Sequence, residues 1–192
     1  VEGNEHIPAI AKKYDLNTMV GVCISDDRDK NEIELNAGID IARQGNADIL
    51  AIGNEVMLRG ELTEDELIAY ISRAKQAVPD IDVSYVDAYF QFEDHPALDD
   101  ACDIIYVNCY PIWEECPADY ALLYMKDMYI RAVKAAKGKK VIISETGWPS
   151  HGEATGAAVP SKESAVQYFI NTYKWADEDE VDIIYFSSFD ES

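Results

Sequence analysis

The sequence predicts an α/β protein of the (β/α)-barrel type, and three observations carry that expectation. Short β-branched runs recur along the chain and alternate with helical patterns. Most of these runs are apolar without alternation, as parallel strands covered on both faces should be. The polar residues with useful chemistry gather where the runs end, at the strand C-termini, and a (β/α) barrel keeps its active site there. The runs are Met19-Val20-Gly21-Val22, Ile49-Leu50-Ala51-Ile52, Val83-Ser84-Tyr85-Val86, Ile104-Ile105-Tyr106-Val107, Val141-Ile142-Ile143 and Ile183-Ile184-Tyr185-Phe186.

The helices between them have readable ends and faces. Ala9 to Leu16 reads as a helix ahead of the first strand, so the chain enters the pattern at a helix. Thr63 and Glu66 form a capping box before Leu67, Ile68, Ile71 and Ala74, which share one helical face. Met125, Met128, Tyr129, Ala132 and Val133 make a second stripe, which Gly138 closes as a C-cap. Val166, Phe169, Ile170 and Tyr173 make a third, and all three stripes read as core. No break in composition separates these units, so residues 1–192 read as one barrel-type domain.

Composition narrows the function. With 48% hydrophobic residues, 192 residues can bury a core, and a net charge of −21 disfavours nucleic acid and anionic membrane surfaces as partners. No apolar run approaches the ~20 residues of a membrane helix. Neutral ligands such as sugars remain compatible with that charge. Four cysteines (Cys23, Cys102, Cys109, Cys116) are too few for a disulfide framework, and Cys23 and Cys109 read as buried free thiols. The histidines His6, His95 and His151 are far apart, so neither a metal nor a cofactor is expected. No G-x-G-x-x-G or Walker pattern follows any strand, which argues against a phosphate-binding α/β fold. The chain opens at Val1 with neither a methionine nor a signal-peptide pattern, the start expected of a processed or partial chain.

Two strand ends carry chemistry. Ala51-Ile52-Gly53-Asn54-Glu55-Val56 and Ile143-Ser144-Glu145-Thr146-Gly147-Trp148-Pro149-Ser150 each place a glutamate where an apolar strand gives out into a loop. A single such glutamate is ordinarily a solvated or ion-paired surface group. Two of them, accompanied by Tyr110, Trp113 and Trp148, point to sugar chemistry. Glycosidic cleavage needs one carboxyl to protonate the leaving oxygen and another to attack the anomeric carbon or activate water. Flat aromatic faces stack on sugar rings.

These motifs resemble glycoside hydrolase family seventeen, the β-1,3-glucanase family of clan A. Gly53-Asn54-Glu55 and Ser144-Glu145-Thr146-Gly147-Trp148-Pro149-Ser150 carry the likeness, the second with seven residues in order. Tyr106-Val107-Asn108-Cys109-Tyr110-Pro111-Ile112-Trp113 is similar to the family's sixth strand, and Phe186-Ser187-Ser188-Phe189-Asp190-Glu191 to its eighth. The resemblance implies a TIM-type barrel present from strand three to strand eight of eight, incomplete at its N-terminal side. It implies Glu55 as acid/base, Glu145 as nucleophile, Asn54 on the sugar 2-hydroxyl, Tyr110 beside the nucleophile and Glu191 as a polar contact in the cleft. Trp113 and Trp148 would be sugar platforms.

The activity so implied is a retaining endo-hydrolase of β-1,3-glucan, located outside the cell or at the cell wall. Glu55 must be protonated when the bond breaks and Glu145 ionised. Retention calls for the two carboxyl groups to stand ~5–5.5 Å apart, with no room for water between them. A β-1,3-glucan transglycosylase would use the same residues, and a non-catalytic carbohydrate-binding or scaffold protein on a broken barrel is the alternative from another class. Missing strands should leave the Met19 and Ile183 strands with bare edges, to be covered by a second chain or by a segment outside this sequence.

Overall fold

In a computed structural model of the chain, residues 3–187 are described, and the chain divides into two compact units, Val1–Ile105 and Tyr106–Ser192. Among the described residues of the first unit the elements run α1 (Ile7–Lys12), β1 (Met19–Val22), α2 (Arg28–Arg43), β2 (Ile49–Asn54), α3 (Glu64–Ala77), β3 (Asp82–Ala88), α4 (Tyr89–Asp94) and α5 (Pro96–Ala101). β1 pairs with β2 and β2 with β3, both parallel, with Met19 opposite Ile49 and Ile49 opposite Asp82. Parallel neighbours require a long crossover, and α2 and α3 supply it. Asp27 caps α2 by accepting from the Lys30 amide at 3.1 Å. The capping box at α3 is present as expected: Thr63 Oγ1 accepts from the Glu66 amide, and the Glu66 carboxylate accepts from the Thr63 amide. Leu67, Ile71 and Ala74 are buried, joined by Tyr70, against a sheet whose Leu50, Ile52, Val83 and Tyr85 are also buried.

The second unit takes up at β4 (Ile105–Asn108) and continues through α6 (Ala121–Ala135), β5 (Val141–Thr146), α7 (Lys162–Glu178) and β6 (Ile183–Tyr185). Its strands follow the order β4-β5-β6, and β5 pairs with β6 in parallel, Ile143 opposite Ile183 and Thr146 opposite Tyr185. All four residues of β4 are buried, as are Val141 to Ser144 of β5. α6 turns Met125, Met128 and Ala132 inward.

Several expectations need correction. The first helix covers Ile7–Lys12 rather than Ala9–Leu16, because Pro8 suits a first helical turn and Asp15, at φ 54°, is already left-handed. β1 is not covered on both faces: Met19 and Gly21 are exposed, and Cys23 just beyond them is exposed rather than a buried thiol. α6 is capped at Ala136, with Lys137 and Gly138 both at positive φ, so Gly138 lies past the cap, and Val133 is exposed. The largest difference is in α7. Val166, Phe169, Ile170 and Tyr173 are all exposed, while Tyr168, Thr172, Trp175 and Ala176 form the buried face. This helix is apolar on two sides, so periodicity could select either one, and packing selects the side with the large amphipathic rings. Finally, β1 has β2 as its one sheet neighbour and β6 has β5, so each keeps a bare edge among the described residues, as expected.

Candidate active site

Glu55 stands in a turn built at the C-terminal end of β2. The register between β2 and β3 slips between Ala51 and Asn54, which ends regular pairing there. Gly53 has φ +87°, and a Cβ on it would lie 2.8 Å from Val56 Cγ2, so only glycine fits. Glu55 itself has φ 55°, left-handed without a glycine's freedom. Such a residue costs on the order of 1–3 kcal/mol and persists only where its surroundings fix it. Here the Glu55 amide donates to Val86 O at 2.9 Å, and the Arg59 amide returns to Glu55 O at 3.0 Å. The Glu55 side chain is half-buried, and Asn54 is exposed.

β3 ends beside this turn with two buried polar side chains. The Tyr85 phenol donates to Asp87 Oδ2, and Tyr85 Oη accepts from the Met57 amide at 2.9 Å. Asp87 also accepts from the amides of Leu58 at 3.3 Å and Ala88 at 2.7 Å. Burial pushes the Asp87 carboxyl above its ordinary range, its hydrogen bonds pull it back, and the Glu55 charge adds to the rise. Burial, reinforced by Asp87, raises the Tyr85 phenol as well.

Glu145 is held differently. It belongs to β5 itself, where its carbonyl accepts from the Cys109 amide at 2.8 Å. Tyr110, two residues past β4, donates its phenol to Glu145 Oε2 at 3.0 Å. The strand on either side is anchored by buried polar pairs, Ser144 Oγ to Asn108 Oδ1 at 2.8 Å and Thr146 Oγ1 with Tyr168 Oη at 2.6 Å. Gly147 then passes so close to β6 that a Cβ would lie 2.1 Å from Phe186 O.

The aromatic residues separate. Trp113 is 68% exposed and free to offer a flat face. Trp148 offers none: it is buried with Ile112, Ala121, Ala158 and Tyr168, and its indole donates to Val159 O at 3.2 Å. Its role is therefore packing at the strand end. Glu191 lies outside the described residues. Among the described residues, no three His, Cys, Asp or Glu side chains gather as a metal set. Sequence reasoning quoted Tyr85 and Asn108 only as parts of strands and passed over Asp87. The available signal was position, since both Asp87 and Asn108 are polar residues closing an apolar strand at the end that bears the glutamates.

Parallel strands joined by helices, with glutamates at their C-terminal ends, define a barrel-type protein of the glycoside hydrolase class. The chain belongs to the BtgE/BtgC glycoside hydrolase domain family, whose profile matches residues 1–192, within glycoside hydrolase family seventeen. It is 32% identical over 121 residues to a cell surface mannoprotein of Candida albicans, covering 60% of this chain and 32% of the relative. It is 31% identical over 137 residues to a glucan 1,3-beta-glucosidase of the same organism, covering 61% and 44%. The chain thus spans under half the length of these relatives. Among solved structures, a family 17 beta-1,3-glucanosyltransferase from Rhizomucor miehei matches with a TM-score of 0.89 at 31% identity, over 96% of this chain and 70% of that one. An active-site mutant of that enzyme was solved in complex with laminaritriose. The incomplete α/β barrel of six parallel strands expected from the sequence is therefore borne out, since the chain matches the family 17 fold over most of its length.

Proposed function

We propose that residues 1–192 form a catalytic-type domain that cleaves β-1,3-glucan internally, with retention, through Glu145 as nucleophile and Glu55 as acid/base. The observation that carries this reading is the Tyr110 phenol, 3.0 Å from Glu145 Oε2. A phenolic donor favours the ionised carboxylate and helps to orient it. In the first step Glu145 attacks the anomeric carbon while Glu55 gives its proton to the departing glycosidic oxygen, leaving a glycosyl ester on Glu145. In the second, Glu55 takes a proton from water, whose oxygen displaces Glu145 from the same anomeric carbon. Asn54 is assigned to the sugar 2-hydroxyl and Trp113 to stacking against a ring.

Transfer to a sugar hydroxyl instead of water is the second reading, favoured by the likeness to the Rhizomucor miehei glucanosyltransferase. Laminaritriose in the mutant of that enzyme supports a β-1,3-linked substrate here. A place at the cell surface is supported by the Candida albicans mannoprotein. Incubation with laminari-oligosaccharides tests the proposal. Shorter products mean hydrolysis, and longer ones mean transfer. Tight binding with no products, unchanged by Glu145→Gln, would overturn both and leave a carbohydrate-binding protein.

A further inference from the structure

We infer that Tyr85 and Asp87 are the positioning residues for the Glu55 turn, holding it from the end of β3. Both side chains are fully buried, and a buried carboxylate is retained at a cost that an apolar residue would avoid. Their hydrogen bonds show what they hold. Met57 donates its amide to Tyr85 Oη and Leu58 donates its amide to Asp87 Oδ2, while Tyr85 itself donates to Asp87. Together with the Glu55 amide on Val86 O, three backbone donors of residues 55–58 end on β3 rather than within their own turn. Such a clamp accounts for a non-glycine residue in the left-handed conformation at Glu55. Arg59, just past the same turn, is held in a two-pronged pair with Glu61 at 2.8 and 2.9 Å.

The clamp goes beyond the proposed chemistry but gains its catalytic meaning from it. If Glu55 delivers the proton, the direction of its carboxyl depends on a backbone that Tyr85 and Asp87 fix, and neither of them needs to touch the sugar. Asp87→Asn keeps the shape but puts an NH2 group among donors, and Tyr85→Phe removes one hydroxyl, so both variants are mild in volume.

Amide exchange by NMR tests the clamp on the chain directly. In Tyr85→Phe and Asp87→Asn, the Met57 and Leu58 amides should exchange about tenfold faster or more, while amides of α3 keep their protection. Unchanged exchange at Met57 and Leu58 would overturn the clamp. Kinetics then read the positioning role. Tyr85→Phe should lose about tenfold in kcat on a laminari-oligosaccharide, far less on a dinitrophenyl glycoside that needs no proton, and nothing further in a Glu55→Gln background. Equal loss on both substrates would reduce the pair to a merely structural one. Should Glu55→Gln itself show no preference for the activated substrate, the acid/base assignment fails instead, and the exchange results still decide the clamp.

Discussion

The two units hold their glutamates by opposite means. In the first unit Glu55 is carried by a strained left-handed turn, and three backbone amides and two buried side chains keep it there. In the second, Glu145 is a regular strand residue whose carboxylate accepts from the Tyr110 phenol. The difference suits the two proposed tasks. A nucleophile needs a fixed, ionised oxygen, and a regular strand with a phenolic donor suits that need. An acid/base must face first a leaving oxygen and then a water, so it gains from standing on a shaped turn clear of the sheet.

Removing each carboxylate should give the largest effects and separate the two roles. Glu145→Ala should abolish turnover of activated and unactivated substrates alike. Glu55→Ala should cost on the order of 10²–10⁴ in kcat on laminari-oligosaccharides while sparing the first step on a dinitrophenyl glycoside. Equal behaviour of the two variants would break the comparison.

The glycines beside the glutamates sharpen it on stability. Gly147→Ala should destabilise by about 3 kcal/mol or more in urea unfolding, because its Cβ would meet a backbone oxygen at 2.1 Å. Gly53→Ala should cost less, about 1–3 kcal/mol, since the obstacle at 2.8 Å is a valine methyl and the rest is the strain at φ +87°. A reversed order would mean that the first turn is the stiffer one.

Smaller still is the phenol. Tyr110→Phe should lower kcat about tenfold with KM little changed, as befits one charge-assisted hydrogen bond of about 1.5 kcal/mol or somewhat more. No loss at all would show that the Tyr110 phenol does not orient Glu145.

Away from both glutamates, the α3 cap sets an acid limb. The Thr63 amide, then the Arg28 guanidinium, lower the exposed Glu66 carboxyl to about 2. Its contribution to stability is therefore complete above about 4.5 and lost as pH falls toward about 2. Glu66→Gln should flatten unfolding midpoints across that window, and an unchanged slope would contradict the assignment.

The strands were legible because their β-branched runs have no competing period. Four of them, β2 to β5, run past the apolar run at the C-terminal end, through Asn54, Ala88, Asn108 and Thr146, and side-chain hydrogen bonds satisfy the buried Asn108 and Thr146 there. Glu55 and Glu145 stand out as candidates because two glutamates at such points, accompanied by aromatic residues, need a reason. The inward face of α7 was not, because both of its faces are apolar. The burial of Trp148 was hidden too, since an indole can serve as platform or core equally well until its neighbours are known. Asp87 escaped notice because its place at a strand end was the one signal it offered, with no motif around it. Only its partners, Tyr85 and the Leu58 amide, reveal its use.

In the proposed mechanism Glu145 forms a covalent bond to the sugar. Incubation with a 2-deoxy-2-fluoro laminaribiosyl fluoride, followed by peptide mass mapping, tests it directly. The fluorine slows both steps, and the good leaving group restores the first, so the ester should accumulate. One fluoroglycosyl group per chain is expected, on Glu145, and none in Glu145→Gln. A label on Glu55, or no adduct from a chain that turns over laminari-oligosaccharides with inversion, would contradict it.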